Sequence, residues 1–373
     1  MPLVDAPQQA SYTAKRICRP GKGARLRPCD LGPQRLQGIK DTAVNQNASK
    51  PHDRLAAALS AEMEAVNAVI RERMASRHAP RIPEVTAHLV EAGGKRLRPM
   101  LTLAAAKLLG SGDERAVKLA ATVEFIHTAT LLHDDVVDES TKRRGRPTAN
   151  LLWDNKSSVL VGDYLLARAF QLMTECGSLE VVTTLANASA VISEGEVLQL
   201  TAAQSLETGT EIYLNVIRGK TAALFSAACE VGGMVANATP AQQAALFAYG
   251  DALGIAFQMA DDLLDYGGTS AIGKNIGDDF RERKLTLPVI LAVEKADAEE
   301  RAFWTRVIEK GDQREGDLEE ALRLMQKHGT LEATRLEANE WADKARAALA
   351  DLPDHPLRGI LADVASYVVA RLT

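Results

Sequence analysis

Apolar residues recur at three- and four-residue intervals along most of the chain, as at Leu55, Leu59, Met63, Val66 and Ile70, while the alternation expected of half-buried strands is scarce. Between Met100 and Leu352 proline occurs only at positions 147, 240 and 288, so stretches rich in Ala, Leu, Glu and Arg run on for many turns. The pattern predicts an all-α protein. A first helix near residue 55 is capped by Asp53; further helices span 84–92, 98–110, 113–139, 160–175, 179–203, 209–233, 240–266, 285–296, 298–310, 316–328, 331–350 and 356–371. No long-period repeat and no linker divides them, so residues 51–373 read as one large helical bundle domain.

Composition narrows the class. At 46% hydrophobic and 25% charged, the chain has ample material for a core and is neither disordered nor fibrous as a whole. The longest stretch without Asp, Glu, Lys or Arg, residues 231–250, is broken by Asn237, Thr239, Pro240, Gln242 and Gln243, which argues against a transmembrane segment. Four scattered cysteines (18, 29, 176 and 229) lack metal-ligand spacing and read as reduced thiols in a cytoplasmic protein. Net charge is −5, but residues 1–50 carry +6 and the remainder −11. So acidic a body argues against a nucleic-acid partner. The basic head reads as a disordered extension, with a transit peptide or an upstream start codon as other readings.

Two polar stripes interrupt helices that are otherwise apolar. In ATVEFIHTATLLHDDVVDES, His127, Asp134, Asp135 and Asp138 break the pattern, and successive turns of about 100° place the three aspartates on one side. Alone, this matches either a solvated helix end or a set of carboxylates that needs a divalent cation to offset mutual repulsion. The second stripe favours the cation: GDALGIAFQMADDLLDYGG puts Gln258, Asp261, Asp262 and Asp265 at spacings normally held by core residues. Two such clusters facing across a cavity would gather cations and hold diphosphate, a good leaving group once neutralised, which points to carbon–oxygen ionisation. Basic residues complete a charge-balanced site for two diphosphates: the turn Gly93, Gly94, Lys95, Arg96, Leu97, Arg98, Pro99; the run Arg143, Arg144, Gly145, Arg146; and Lys220 with Thr221. No serine or cysteine constellation suggests a covalent intermediate.

The segments GGKRLRP, EFIHTATLLHDDVVDES, RRGRPTAN, GKTAALF, FQMADDLLDY and GKNIGDDFRERKLTLP together resemble the trans-isoprenyl diphosphate synthases, specifically the octaprenyl, decaprenyl and solanesyl type. The resemblance implies an all-α fold with a central cavity, a homodimer and three Mg2+ ions. It implies that Asp134, Asp135, Asp138, Asp261, Asp262 and Asp265 hold those ions on an allylic diphosphate. Lys95, Arg98, His127 and Arg144 are then the isopentenyl diphosphate pocket, and Arg143, Lys220, Thr221, Gln258, Lys274 and Lys284 the allylic diphosphate contacts. One departure stands out: where the family commonly has Glu-Gly-Lys before Thr-Leu-Pro, this chain has Glu282, Arg283 and Lys284. Product length is expected to depend on the wall below the first cluster. Ala129 stands where short-chain relatives carry a bulky aromatic, Thr130 beside it is also small, and Phe125 is a candidate floor. The expected product is therefore long. A farnesyl or geranylgeranyl synthase and a non-catalytic subunit of a heteromeric synthase are the alternatives. The second diphosphate pocket argues against a terpene cyclase, and both intact aspartate clusters argue against the non-catalytic subunit.

Overall fold

In a computed structural model, which describes residues 49–76, 78–91, 93–267 and 276–371, the unit from Ser49 onward is built almost wholly of helices. They are α1 Pro51–Ala58, α2 Ser60–Met74, α3 Arg81–Glu91, α4 Leu97–Leu108, α5 Glu114–Val137, α6 Ala149–Leu152, α7 Asn155–Glu175, α8 Leu179–Ala202, α9 Thr210–Ile217, α10 Ala223–Val235, α11 Pro240–Gly267, α12 Asp278–Arg281, α13 Leu287–Lys295, α14 Ala298–Trp304, α15 Asp317–His328, α16 Thr330–Ala348 and α17 Pro356–Ala370. The expected basic extension falls almost entirely in residues 1–48, outside the described residues. Among the described residues no helix is long and apolar enough to cross a membrane.

Local chemistry explains most boundaries. Asp113, Asp154 and Ser178 accept backbone N–H bonds at the starts of α5, α7 and α8, as N-caps do. Asp53 does not cap the first helix. Pro51, with its preset φ, starts α1 earlier, so Lys50 occupies the cap position and Asp53 falls in the first turn. The stretch 209–233 is not one helix either. Between α9 and α10, residues Arg218–Ala222 form a π-helical turn, closed by the Ala223 N–H bonding to the Arg218 carbonyl. A second π turn, Thr305–Glu309, follows α14. The run after α5 folds into a two-residue ribbon, β1 Lys142–Arg143 against β2 Arg146–Pro147, turned by Arg144 and Gly145 in left-handed conformations.

The core lies where α10 packs against α4, α5, α8 and α11, with α16 and α17 closing over α11 and α7 over α5. Phe125, Phe225, Tyr249, Leu119 and Leu132 are fully enclosed there. Glycines permit close crossings. A Cβ on Gly195 of α8 would lie 2.7 Å from the Lys220 nitrogen and 2.9 Å from Gly219, so the backbones of α8 and the π turn touch directly. That contact sets the depth at which Lys220 and Thr221 enter the centre of the bundle.

Candidate active site

Helices α5 and α11 bring the two aspartate stripes to one cavity of about 730 Å3. Asp134, Asp138, Asp261, Asp262 and Asp265 line it, together with Lys220, Thr221, Gln258, Lys284, Arg143, Arg144, Arg98 and His127. Lys274 lies outside the described residues. Lys95 is exposed and lines neither this cavity nor the smaller chamber beside it.

The six aspartates are not equivalent. Asp135 is fully buried and turns away from the cavity; Arg143 donates to its Oδ1 from both Nε and Nη2 at 2.8 Å, leaving Oδ2 without a partner. Asp262 is gripped from two sides, by the Tyr213 hydroxyl at 2.7 Å and the Gln258 amide at 2.8 Å. Thr221 in turn donates to the Gln258 carbonyl oxygen at 2.8 Å. Asp265 accepts backbone N–H groups of Asp278 (3.2 Å) and Asp279 (3.1 Å), fastening the start of α12. Burial pushes the Asp134 carboxyl up to about 7, with Glu196 and Asp138 adding to the push against Lys220 and Arg143.

Cations are spaced around these carboxylates. Lys220 Nζ donates to Glu196 at 2.9 Å, and Lys284 Nζ lies 3.8 Å from Asp138 and is paired with Glu282. Burial lowers the Lys284 pKa, but Asp138 and Glu282 outweigh it and raise the pKa above the ordinary lysine value.

The smaller chamber adjoins the cavity along α5, lined by Gly94, Arg96, Glu124, His127, Arg143 and Arg144 among others. A Cβ on Gly94 would come within 2.8 Å of the Arg144 guanidinium, so the glycine makes room for that arginine. Arg96 pairs with the buried Glu124 at 2.5 Å. Arg98 donates to His127 Nε2 at 3.3 Å, stacks 4.4 Å over the Phe225 ring and leaves its buried Nε without a partner. Burial, reinforced by Arg98, Arg144, Arg143 and Arg96, drives the His127 pKa well below its usual value, so a neutral imidazole faces the arginines. Burial also lowers Arg98 to about 10. Enclosed positive charge from Arg96, Arg98, Arg143 and Arg144 outweighs the two buried acids Glu124 and Asp135 and makes an anion pocket.

Of the proposed chain-length residues, Thr130 lines the large cavity. Ala129 and Phe125 are fully buried in the packed core and are not part of its wall. Sequence reasoning missed Tyr213, Glu196 and Glu124. Tyr213 sits seven residues before Lys220, on the same helical face, but an aromatic in the run IYLNVI reads as core. Glu124 is detectable as an acid in an otherwise apolar or uncharged turn, whereas Glu196, two residues after Glu194, does not stand out.

Residues 79–325 match the family model described as polyprenyl synthetase. The chain is 47% identical to the octaprenyl diphosphate synthase of Escherichia coli (strain K12) over 311 residues, covering 83% of this chain and 96% of that protein. A crystal structure of a decaprenyl diphosphate synthase from Rhodobacter capsulatus superimposes with a TM-score of 0.85 at 75% identity, over 87% of this chain and 100% of that one. A polyprenyl synthase from Caulobacter crescentus CB15, solved with calcium and isoprenyl diphosphate, gives 0.83 at 50% identity, over 87% and 99%. Two carboxylate stripes across one cavity, an arginine chamber beside it and likeness along most of the length agree on one assignment: this chain belongs to the polyprenyl synthetase family.

Proposed function

We propose that this chain condenses isopentenyl diphosphate with an allylic diphosphate, repeatedly, to a long-chain polyprenyl diphosphate. The observation that carries the reading is the pair of compartments: an acidic and basic cavity of about 730 Å3, lined by Arg98 among others, that shares His127, Leu131, Arg143 and Arg144 with a cationic chamber. Two anionic substrates would thereby meet at that shared wall.

The donor set suits Mg2+. Carboxylate oxygens at Asp134, Asp138 and Asp261 border the cavity with room for phosphate oxygens, and Asp134 is a half-buried acid whose ionised form calls for a cation. Among the described residues no three acidic or histidine side chains converge as a finished cage, so bound diphosphate would complete the coordination. Magnesium so held supplies electrophilic pull on the departing diphosphate. Lys220, Arg143 and Lys284 share the negative charge that develops as the allylic carbon–oxygen bond breaks. Arg98, Arg144 and neutral His127 hold the second diphosphate so that its double bond faces the cation; a proton then leaves the new chain for the released diphosphate. Asp135 and Asp265 act mainly by orienting Arg143 and α12, whereas Asp262, held by Tyr213 and Gln258 on the cavity lining, adds its carboxylate to the Mg2+ donors.

Thr130, one turn below Asp134 on the cavity wall, leaves space for a growing chain and supports a long product. Exposed apolar side chains on α7 and α8, including Leu160 at 66% exposure, Val197 at 61% and Leu200 at 60%, support a homodimer, while the scattered cysteines support a cytoplasmic location and the acidic body a function without nucleic acid. The test is incubation of the purified chain with Mg2+, farnesyl diphosphate and labelled isopentenyl diphosphate, with products sized by chromatography. Long products support the reading. Products that stop at four isoprene units favour a geranylgeranyl synthase; incorporation that occurs only with geranyl diphosphate as primer and stops at three units favours a farnesyl synthase; and no incorporation with either primer favours a non-catalytic subunit. Light scattering checks the dimer.

A further inference from the structure

The one departure from the family pattern, Arg283, has an unusual backbone. Its φ is +57°, the left-handed region that glycine enters freely and other residues enter at a cost. Its side chain makes contacts that a glycine cannot. The guanidinium Nη1 reaches the carbonyl of Ile308 at 3.3 Å and that of Glu309 at 3.5 Å. These carbonyls end the helical stretch of α14 and the following π turn, where backbone acceptors lack helical partners and the dipole is negative. Gly311 forms the seat: at φ +65°, a Cβ there would stand 2.6 Å from the same Nη1 and 3.1 Å from Cζ. A second tie runs beside it, with the Gln313 amide donating to the carbonyls of Phe280 and Val307.

The loop fastened in this way carries Lys284. Its backbone N–H bonds to the Asp279 carbonyl at 2.9 Å, and the Arg283 N–H to that of Phe280 at 3.0 Å. The Lys284 ammonium lies 3.8 Å from Asp138, on the opposite wall of the cavity. We propose that Arg283 is a positioning residue: its hook onto the Ile308–Glu309 carbonyls over Gly311 holds the left-handed turn that aims Lys284 across the cavity at the allylic diphosphate. The inference rests on the reading of Lys284 as a contact to that diphosphate. A glycine would adopt the same turn without strain but would leave the loop free to sample others, and Lys284 would meet the substrate at an entropic disadvantage.

Three variants of the full-length enzyme test this, with farnesyl diphosphate and isopentenyl diphosphate varied separately. Arg283→Gly keeps the turn and removes the hook. Gly311→Ala evicts the guanidinium without altering the loop sequence, and Lys284→Gln removes the cation being aimed. Loss of one ordered charge-assisted contact predicts that Arg283→Gly raises KM for farnesyl diphosphate about tenfold, leaves KM for isopentenyl diphosphate unchanged, and that Lys284→Gln raises the former at least as much. Gly311→Ala shifts it in the same direction, and Arg283→Lys restores part of the loss. A wild-type KM in Arg283→Gly beside a raised KM in Lys284→Gln overturns the inference while leaving the function of Lys284 intact. A lowered Tm with unchanged KM also overturns it, because the hook would then be only a structural clip. A wild-type KM in Lys284→Gln removes the reading on which the inference rests, and the inference with it. If Arg283→Gly does not fold, Gly311→Ala and Arg283→Lys decide the matter in the same way.

Discussion

Gly195→Ala tests whether the backbone contact between α8 and the π turn sets the position of Lys220. The added Cβ would stand 2.7 Å from the Lys220 nitrogen and 2.9 Å from Gly219 Cα and carbonyl carbon. Comfortable carbon contacts lie near 3.5 Å or beyond, so the two segments must part by roughly 0.6–0.8 Å. Overpacking of this kind costs about 1–3 kcal/mol, of which alanine's helix preference returns about 0.5–1. A net loss of about 1–2 kcal/mol lowers Tm by roughly 2–6 °C in a domain this large, which leaves it folded at assay temperature. Catalysis should suffer more than stability. Lys220 and Thr221 ride on the displaced turn, and Thr221 is the first link in the hydrogen-bond chain through Gln258 to Asp262. A misplacement approaching 1 Å predicts a fall in kcat of about 10- to 100-fold. Gly359→Ala is the control, because its Cβ meets nothing within 4 Å on α17; it should keep full activity and gain about 0.5–1 kcal/mol. Circular dichroism melts and initial rates of labelled isopentenyl diphosphate incorporation measure both quantities. A Gly195→Ala enzyme with wild-type kcat refutes the reasoning, since the crossing would then have slack that its distances deny.

Other consequences are simpler to state. Tyr213→Phe removes the hydroxyl that donates to Asp262; a hydrogen bond to a carboxylate is worth about 1.5–3 kcal/mol, so the Mg2+ needed for half-maximal rate should rise at least tenfold, read from a metal titration. Thr130→Phe narrows the cavity and should shorten the product, whereas Ala129→Phe, forced into a fully buried site off the wall, should lower stability by about 1–3 kcal/mol before it alters chain length; chromatography and thermal melts separate the two. Away from the site, hydrogen bonds from Lys327 and His328 hold the Glu300 carboxyl down to about 2 from an ordinary 4.5, against the opposing effect of burial. Folded pKa below unfolded pKa means stabilisation above about pH 4.5 that is lost as the pH falls toward 2. Tm measured from pH 6 to pH 3 should therefore drop less steeply in Glu300→Gln than in the wild type.

How much of this was legible in the sequence follows from the kind of signal each residue sends. Aspartates in an apolar helix contradict the local pattern, so Asp134, Asp138, Asp261 and Asp262 announced a shared site before any fold was known. Tyr213 agrees with its apolar surroundings and sends no such signal, although it fixes one of those same carboxylates. The π turn is hidden for a related reason. One extra residue in a turn leaves ordinary 3.6-residue periodicity on either side and only shifts its phase, and because α10 is buried nearly all round, a phase shift there has no polar face to reveal it. Yet the same turn carries Lys220 and Thr221 and meets Gly195. The chemistry of the site was thus readable from residues that break the helical pattern, while its geometry depends on residues that conform to it, namely two small glycines, one buried tyrosine and a turn out of phase. Substitutions at the first group should abolish the reaction outright; substitutions at the second should weaken it by degrees, because they move catalytic groups without removing them.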